Sequence, residues 1–173
     1  MDKYSKIIKE LHKETKYLFK NIRLIAFDFD GVFTDNFVYT DENGRETVRS
    51  SRLDGIGLNK LKNLNVNSIV LSSEINNVVL ERSKKLGIEC RNRLKNKSKE
   101  LIQIARSLDV DLTQTSFMGN DINDIGCLKM VGLPIVVPDS HNDVFEYSKY
   151  VTTAKGGHGA VREVCDIIER LKQ

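Results

Sequence analysis

Asp28 and Asp30 stand two residues apart in Phe27-Asp28-Phe29-Asp30-Gly31, directly after the apolar run at 22–27. In an extended chain that spacing turns both side chains the same way. Two carboxylates held side by side repel and drive one toward its protonated form, unless a cation lies between them. Mg2+ takes carboxylate oxygens and keeps several waters, so it can sit there together with a substrate phosphate. A carboxylate can also act as a nucleophile and form an aspartyl-phosphate, while a second one delivers a proton to the leaving oxygen. Asp28 as nucleophile and Asp30 as general acid and base is therefore coherent chemistry, with Gly31 letting the backbone turn tightly beside the phosphate. Taken alone, the pair reads equally well as loop or cap residues after a strand.

Three further positions bear on that choice. Ser72 ends a second apolar run at 68–71, and its hydroxyl can donate to a phosphoryl oxygen or cap a helix. Lys97 opens a helical segment, where it either neutralises charge on a transferred phosphoryl group or is simply solvated. Gly119-Asn120-Asp121 ends a third run at 115–118. Asn120, Asp121 and Asp124 can supply metal oxygens or serve as turn and cap residues. Together these positions provide the nucleophile, acid, hydroxyl donor, cation and metal ligands that phosphoryl transfer needs.

The elements that must position them follow from periodicity. Residues 1–20 read as an N-terminal amphipathic helix, with Tyr4, Ile7, Ile8 and Leu11 at helical spacing, and 21–173 as one domain of ordinary size. Strands are predicted at 22–27, 68–71, 115–118, 133–137 and 150–153. Helices are predicted at 53–64, 76–86 with Gly87 as its stop, 98–108, 124–131 and 160–171. A hairpin is predicted over 37–48, turning at Asn43-Gly44. This alternation is that of an α/β fold, a three-layer Rossmann-like arrangement with a mainly parallel sheet plus the small β-hairpin. Ligands of such sheets bind beyond the carboxyl ends of the strands, where the polar clusters lie.

Composition excludes several function classes. The net charge is only +3 with both signs interleaved, which argues against nucleic acid as a partner. The basic run at 91–99 reads as a solvated loop plus Lys97. No apolar run approaches a membrane span. Residues 1–20 lack the features of a signal peptide, so the cytoplasm is expected. Cys90, Cys127 and Cys165 are odd in number and widely spaced, which argues against a disulfide framework or zinc site and for a reducing compartment.

Asp28-Phe29-Asp30-Gly31-Val32-Phe33-Thr34-Asp35, Ser72, Lys97 and Gly119-Asn120-Asp121-Ile122-Asn123-Asp124 match, in order and spacing, the four motifs of the haloacid dehalogenase superfamily. With Asn21-Ile22-Arg23-Leu24, Asp54-Gly55-Ile56-Gly57 and Gly156-Gly157-His158-Gly159-Ala160-Val161-Arg162-Glu163, the chain resembles its capless 3-deoxy-D-manno-octulosonate 8-phosphate phosphatase-like family. The resemblance implies no cap domain, and catalysis by Asp28, Asp30, Ser72 and Lys97. It implies Mg2+ held by Asp28, Asp30, Asn120 and Asp121, and substrate contacts from Asp30, Ser51, Arg52, Leu53, Asp54, Gly55, Glu74, Arg82 and Lys97. It also implies a homotetramer in which hairpins and C-terminal tails enclose neighbouring sites. The substrate implied is the phosphate monoester of a 3-deoxy-2-ulosonic acid, either octulosonate 8-phosphate or a nine-carbon nonulosonate 9-phosphate.

Three positions depart from that pattern. Ser73-Glu74 replaces Gly-Arg, which removes a bidentate carboxylate clamp and is similar to relatives acting on nine-carbon acids. Asn120 replaces an aspartate, as in the related domain of animal sialic-acid cytidylyltransferases. His158 replaces an arginine. Arg82 reads equally as a surface helix residue. A second reading of the chain is a non-catalytic oligomerisation or regulatory domain of nucleotide-sugar (sialic-acid type) synthesis, against which the retained Asp28 and Asp30 argue. A phospho-accepting receiver is disfavoured because Asp28 and Asp30 share one strand end.

Overall fold

The structure, a computed structural model, describes residues 2–173. At the N-terminus, α1 (Lys3–Glu10) and α2 (Lys13–Asn21) replace the one continuous helix expected over 1–20. Leu11 and His12 between them take extended backbone. The break lets Ile7, Ile8, Leu11, Leu18 and Phe19 all reach the same core cluster, which a straight helix of that length could not follow. Asp2 caps α1 by accepting from the Tyr4 and Ser5 N–H groups.

The main sheet begins with β1 (Leu24–Phe27), buried along its whole length. A two-stranded antiparallel hairpin follows, β2 (Thr34–Thr40) and β3 (Glu46–Ser50). At its tip the Asp41 carboxylate accepts from the Asn43 and Arg45 N–H groups, and Gly44 takes a positive φ of 74°. Next come α3 (Leu53–Asn63), β4 (Asn67–Leu71), α4 (Val78–Leu86), β5 (Glu89–Arg91), α5 (Lys97–Ser107) and β6 (Thr115–Gly119). The chain ends with α6 (Ile125–Leu128), β7 (Leu133–Val136), β8 (Tyr150–Val151) and α7 (Ala160–Lys172).

The six strands of the main sheet run β5-β4-β1-β6-β7-β8, all parallel. Helices cover both faces of the inner strands, which is why β1, β4, β6 and β7 read as apolar runs rather than alternating ones. Ile25 and Phe27 point into a core shared with α2, α3, α4 and α7. Leu24 and Ala26 point the other way, onto α5 and α6. The three-layer α/β architecture expected from the sequence is the one observed. Among the described residues, no helix is long and apolar enough to cross a membrane.

Two further elements differ from expectation. β5 lies at the sheet edge, with exposed Glu89 and Arg91, and exists through its pairing with β4 rather than through any apolar pattern. The helix expected at 124–131 is a 3-10 turn, Ile122–Asp124, followed by the four-residue α6. The Asp124 side chain is folded back onto the preceding loop there. What matters for function is β1's place in the order. It is flanked by β4 and β6, so the chain leaves it in opposite directions, and a crevice opens at its carboxyl end.

Candidate active site

Asp28 is the first residue past β1, and its N–H still donates to Met118 O at 2.8 Å, so the ladder fixes its position. Phe29 turns into the core and stacks on Phe33, which leaves Asp28 and Asp30 on the crevice side. The chain then reverses: Phe33 N–H donates to Phe29 O, and Gly31 adopts φ of 78°. A side chain at Gly31 would overlap the Asn120 amide, so the glycine serves both the turn and the approach of Asn120. Thr34 Oγ1 accepts from the Gly31 and Asn36 N–H groups at 3.1 and 3.2 Å and lies 3.4 Å from Asp30 Oδ1, to which it donates.

Ser72 follows β4. It is buried, and its Oγ accepts the Glu74 N–H at 3.1 Å, leaving the hydroxyl proton free to be donated elsewhere. Lys97 is the first residue of α5, placed by the Asn96 cap on the Lys99 N–H. Its side chain is only 2% exposed, with Nζ 2.7 Å from Asp28 Oδ1 and 2.8 Å from Asp124 Oδ1. Asp28 Oδ1 also accepts the Phe29 N–H, so Oδ2 is the oxygen left without a hydrogen bond. Asp124 is wholly buried, and its Oδ2 accepts from the Asn120 and Asp121 N–H groups. Both of its oxygens are thus engaged within the fold, and it holds Lys97 rather than facing the crevice. Asn120 Oδ1 is buried and has no hydrogen-bond partner. Asp121 accepts the Ile122 N–H through Oδ1 at 2.7 Å.

Two buried anions share one cation here. Burial works against the Lys97 charge, but Asp28 and Asp124 overcome it and hold the ammonium above its ordinary range. Asp28 is pushed up to about 8 by burial first and by the Asp124 charge second, against the pull of Lys97. Lys97 stays charged between the two carboxylates, and Asp28 is left with surplus negative charge that a cation at the crevice would offset. Asp30 is raised by burial and then by the nearby Glu74 carboxylate. Each shift favours binding of a proton or a metal cation at the crevice.

The crevice itself, about 330 Å³, is lined by Asp28, Asp30, Glu74, Asn120 and Asp121, with Asn36, Ile122 and Asn123 at its edge. A cavity of about 430 Å³ lies among Leu58, Lys62 and Ser68, away from these carboxylates. Among the described residues, no three His, Cys, Asp or Glu side chains form a metal-binding group. The crevice instead offers carboxylate oxygens together with the unpartnered Asn120 amide oxygen.

Not every residue expected at the site lines it. Arg82 donates through Nη2 to Ser51 O at 2.8 Å, and it faces a groove of about 510 Å³ with Glu46, Val48 and Lys85. Arg52 and Leu53 are exposed, and Gly55 packs near Leu86. Asp54 is buried against α7, where Oδ1 accepts the Arg162 N–H at 3.3 Å. Ser51, Arg52, Leu53, Asp54, Gly55 and Arg82 therefore form a second cluster beside the crevice. Asn76 bridges the two, donating to Glu46 Oε2 at 2.6 Å and to Glu74 Oε2 at 3.4 Å. Sequence reasoning missed Asp124 as the anchor of Lys97, although its place three residues after Asp121 is capping-box spacing. It also missed Asn36, which carried no signal beyond its residue type.

Residues 4–164 match the family described as haloacid dehalogenase-like hydrolase. The chain belongs to that family. This hydrolase is 32% identical over 151 residues to the 3-deoxy-D-manno-octulosonate 8-phosphate phosphatase of Yersinia pestis, covering 86% of this chain and 80% of the relative. Its fold superposes with TM-score 0.89 on the Moraxella catarrhalis 3-deoxy-D-manno-octulosonate 8-phosphate phosphatase, solved with magnesium, phosphate and KDO. That pair is 31% identical, with 93% and 94% of the two chains covered. The cobalt-bound Haemophilus influenzae phosphatase gives TM-score 0.85 at 27% identity, with 90% and 91% covered.

Proposed function

We propose that this hydrolase is a Mg2+-dependent phosphatase for the phosphate monoester of a 3-deoxy-2-ulosonic acid, octulosonate 8-phosphate or a nine-carbon 9-phosphate. The observation that carries the reading is that Asp28, Asp30, Asn120 and Asp121 line one crevice at adjacent strand ends, with Lys97 paired to Asp28 from the start of α5 and Ser72 following the neighbouring strand β4, in a chain whose relatives bear that phosphatase name.

Asp28 Oδ2, the oxygen free of hydrogen bonds, attacks phosphorus while Lys97 and the Phe29 N–H hold Oδ1. A bond forms from Oδ2 to phosphorus, the ester bond to the sugar oxygen breaks, and Asp30 gives that oxygen its proton. Burial and then the Glu74 carboxylate raise the proton affinity of Asp30, the direction a general acid needs. Asp30 then takes a proton from the water that attacks the aspartyl-phosphate, releasing phosphate and restoring the Asp28 carboxylate. Ser72 donates to a phosphoryl oxygen and Lys97 offsets charge gathered there. Asp28, Asp30, Asn120 and Asp121 would hold the metal, and the orphaned Asn120 oxygen fits that role. When bound there, Mg2+ would supply charge neutralisation for the phosphoryl group.

The exposed hairpin residues Phe37, at 70%, and Tyr39, at 61%, support a homotetramer in which hairpins cover neighbouring crevices. Three free thiols support a cytoplasmic setting. The test is phosphate release from octulosonate and nonulosonate phosphates with Mg2+ present. Wild type should turn over at least one of them and Asp28→Asn none, with an unchanged far-ultraviolet spectrum. Turnover retained in Asp28→Asn would remove the nucleophile from this scheme.

A further inference from the structure

Glu163 of α7 is a fully buried carboxylate that takes no part in the crevice. Its Oε1 accepts from the Tyr150 hydroxyl at 2.8 Å and the Thr153 N–H at 2.7 Å. Its Oε2 accepts from the Thr153 hydroxyl and from the Ala154 N–H at 3.2 Å, and lies 3.4 Å from Lys3 Nζ. The carboxylate therefore gathers the end of the sheet, the segment after β8 and the first helix onto one buried point.

The segment it holds runs straight into the glycine tract at 156–159. Gly156 N–H donates to Asp139 Oδ1 at 3.2 Å and Gly157 N–H to Val32 O at 3.0 Å. A Cβ on Gly156 would overlap Gly31 O, and one on Gly157 would lie 2.5 Å from Asp35 N. The tract is thus pressed, backbone on backbone, against the turn whose Thr34 hydroxyl meets Asp30. His158 closes it on the hairpin: Nδ1 lies 2.7 Å from Gly156 O, and Nε2 lies 3.1 Å from the Arg49 guanidinium. Arg49 in turn pairs with Asp35 at 2.8 Å.

We propose that Glu163 is a positioning residue for proton delivery: by fixing Thr153 and Ala154 it seats Gly156 and Gly157 on the 31–35 turn and so sets the orientation of Asp30. This rests on the reading of Asp30 as general acid. Small displacements of such a group cost rate steeply, about 100-fold for an ångström.

The consequence separates positioning from a general structural role. A sugar alkoxide leaves poorly without a proton, whereas p-nitrophenolate is a stable anion and needs none. Glu163→Gln keeps shape but sets an N–H donor against donors. The first-turnover rate of leaving-group release, read before the water step that Asp30 also serves, should fall about 100-fold for octulosonate 8-phosphate and stay within about 5-fold for p-nitrophenyl phosphate. Gly156→Ala, which disturbs the same turn without touching the buried carboxylate, should show the same split and carries the test if Glu163→Gln melts below the assay temperature. Asp30→Asn is the reference: in that first turnover its loss should fall much more heavily on octulosonate 8-phosphate than on p-nitrophenyl phosphate. If it shows the split and both other variants lower the two substrates equally or not at all, the positioning role is refuted. If Asp30→Asn itself shows no split, the general-acid reading is the one that fails.

Discussion

Lys97→Met removes one charge and keeps most of the side chain's bulk, which isolates what the ammonium does. In the wild type, that ammonium lies within 2.8 Å of both Asp28 and Asp124, and the three side chains are 2%, 8% and 0% exposed. Solvent therefore does little to screen the carboxylates once the cation is gone. Removing one partner of a buried ion pair costs about 3–5 kcal/mol, because the remaining charge is left uncompensated. For a domain of this size that corresponds to a fall in Tm of roughly 6–20 °C. Urea and thermal unfolding of wild type, Lys97→Met, Asp124→Asn and the double variant, all in chelator, measure it. The double variant should be more stable than the sum of the single losses by about 0.5–3 kcal/mol, since its second change removes an anion that the first stranded. A loss under about 1 kcal/mol for Lys97→Met, or strict additivity in the cycle, would refute the claim that Lys97 is the compensating charge.

Other consequences are as direct. Burial pushes Asp54 up to about 7, against the Arg162 N–H and the Arg82 and Arg162 charges. Its folded form binds the proton more tightly than the unfolded chain does, so its stability contribution is full below about pH 4 and is lost as pH rises through about 7. Between pH 5 and 8 wild type should lose about 3 kcal/mol that Asp54→Asn keeps; parallel stability profiles would contradict this. Asn120→Ala should weaken Mg2+ binding by calorimetry about 10-fold or more, and Asn120→Asp should strengthen it, with equal affinities sinking the ligand assignment. Gly31→Ala must take positive φ and displace the Asn120 amide, so it should cost about 1–3 kcal/mol; a wild-type Tm would show that the turn relaxes freely.

How far the sequence reveals this arrangement depends on where the information resides. β1, β4, β6 and β7 are buried on both faces, so burial writes itself into continuous apolar runs. β5 has no such signature, because Glu89 and Arg91 are exposed and its existence depends on pairing with Ile69 to Leu71. The break at Leu11 and His12 falls on residues without any helix-stopping chemistry and is set by the surface on which α1 and α2 lie. Asp28 and Asp30 are legible because the chemistry depends on local spacing. The Lys97 link to Asp124 spans 27 residues and is decided by how α5 meets the loop after β6, which no local pattern encodes. Ser51 to Gly55 and Arg82, which the resemblance implies as substrate contacts, form a cluster distinct from the crevice lining, linked by the Arg82 bond to Ser51 O.

On the proposed reading, that separation bears on how a sugar acid would be held. Asp28, Asp30, Glu74 and Asp121 line the crevice, and its nearest cation, Lys97, already serves two carboxylates. A phosphate monoester carrying a second, carboxylate charge would meet repulsion there, so on the proposed reading the metal must precede or accompany the phosphate. Metal charge reaches only the phosphoryl end, however. Glu74 is suited to accept from sugar hydroxyls, not to hold a carboxylate. The sugar carboxylate therefore needs a cation outside the crevice, and Arg52 and Arg82 are the arginines of the second cluster. Arg82 reaches Ser51 through Nη2 while its buried Nε has no partner, so its guanidinium keeps donor capacity. Arg82→Lys, which keeps charge but loses the planar fork, should raise KM for a sugar-acid phosphate and leave KM for p-nitrophenyl phosphate unchanged. Equal effects on both substrates would mean that Arg82 merely supports the 51–55 segment.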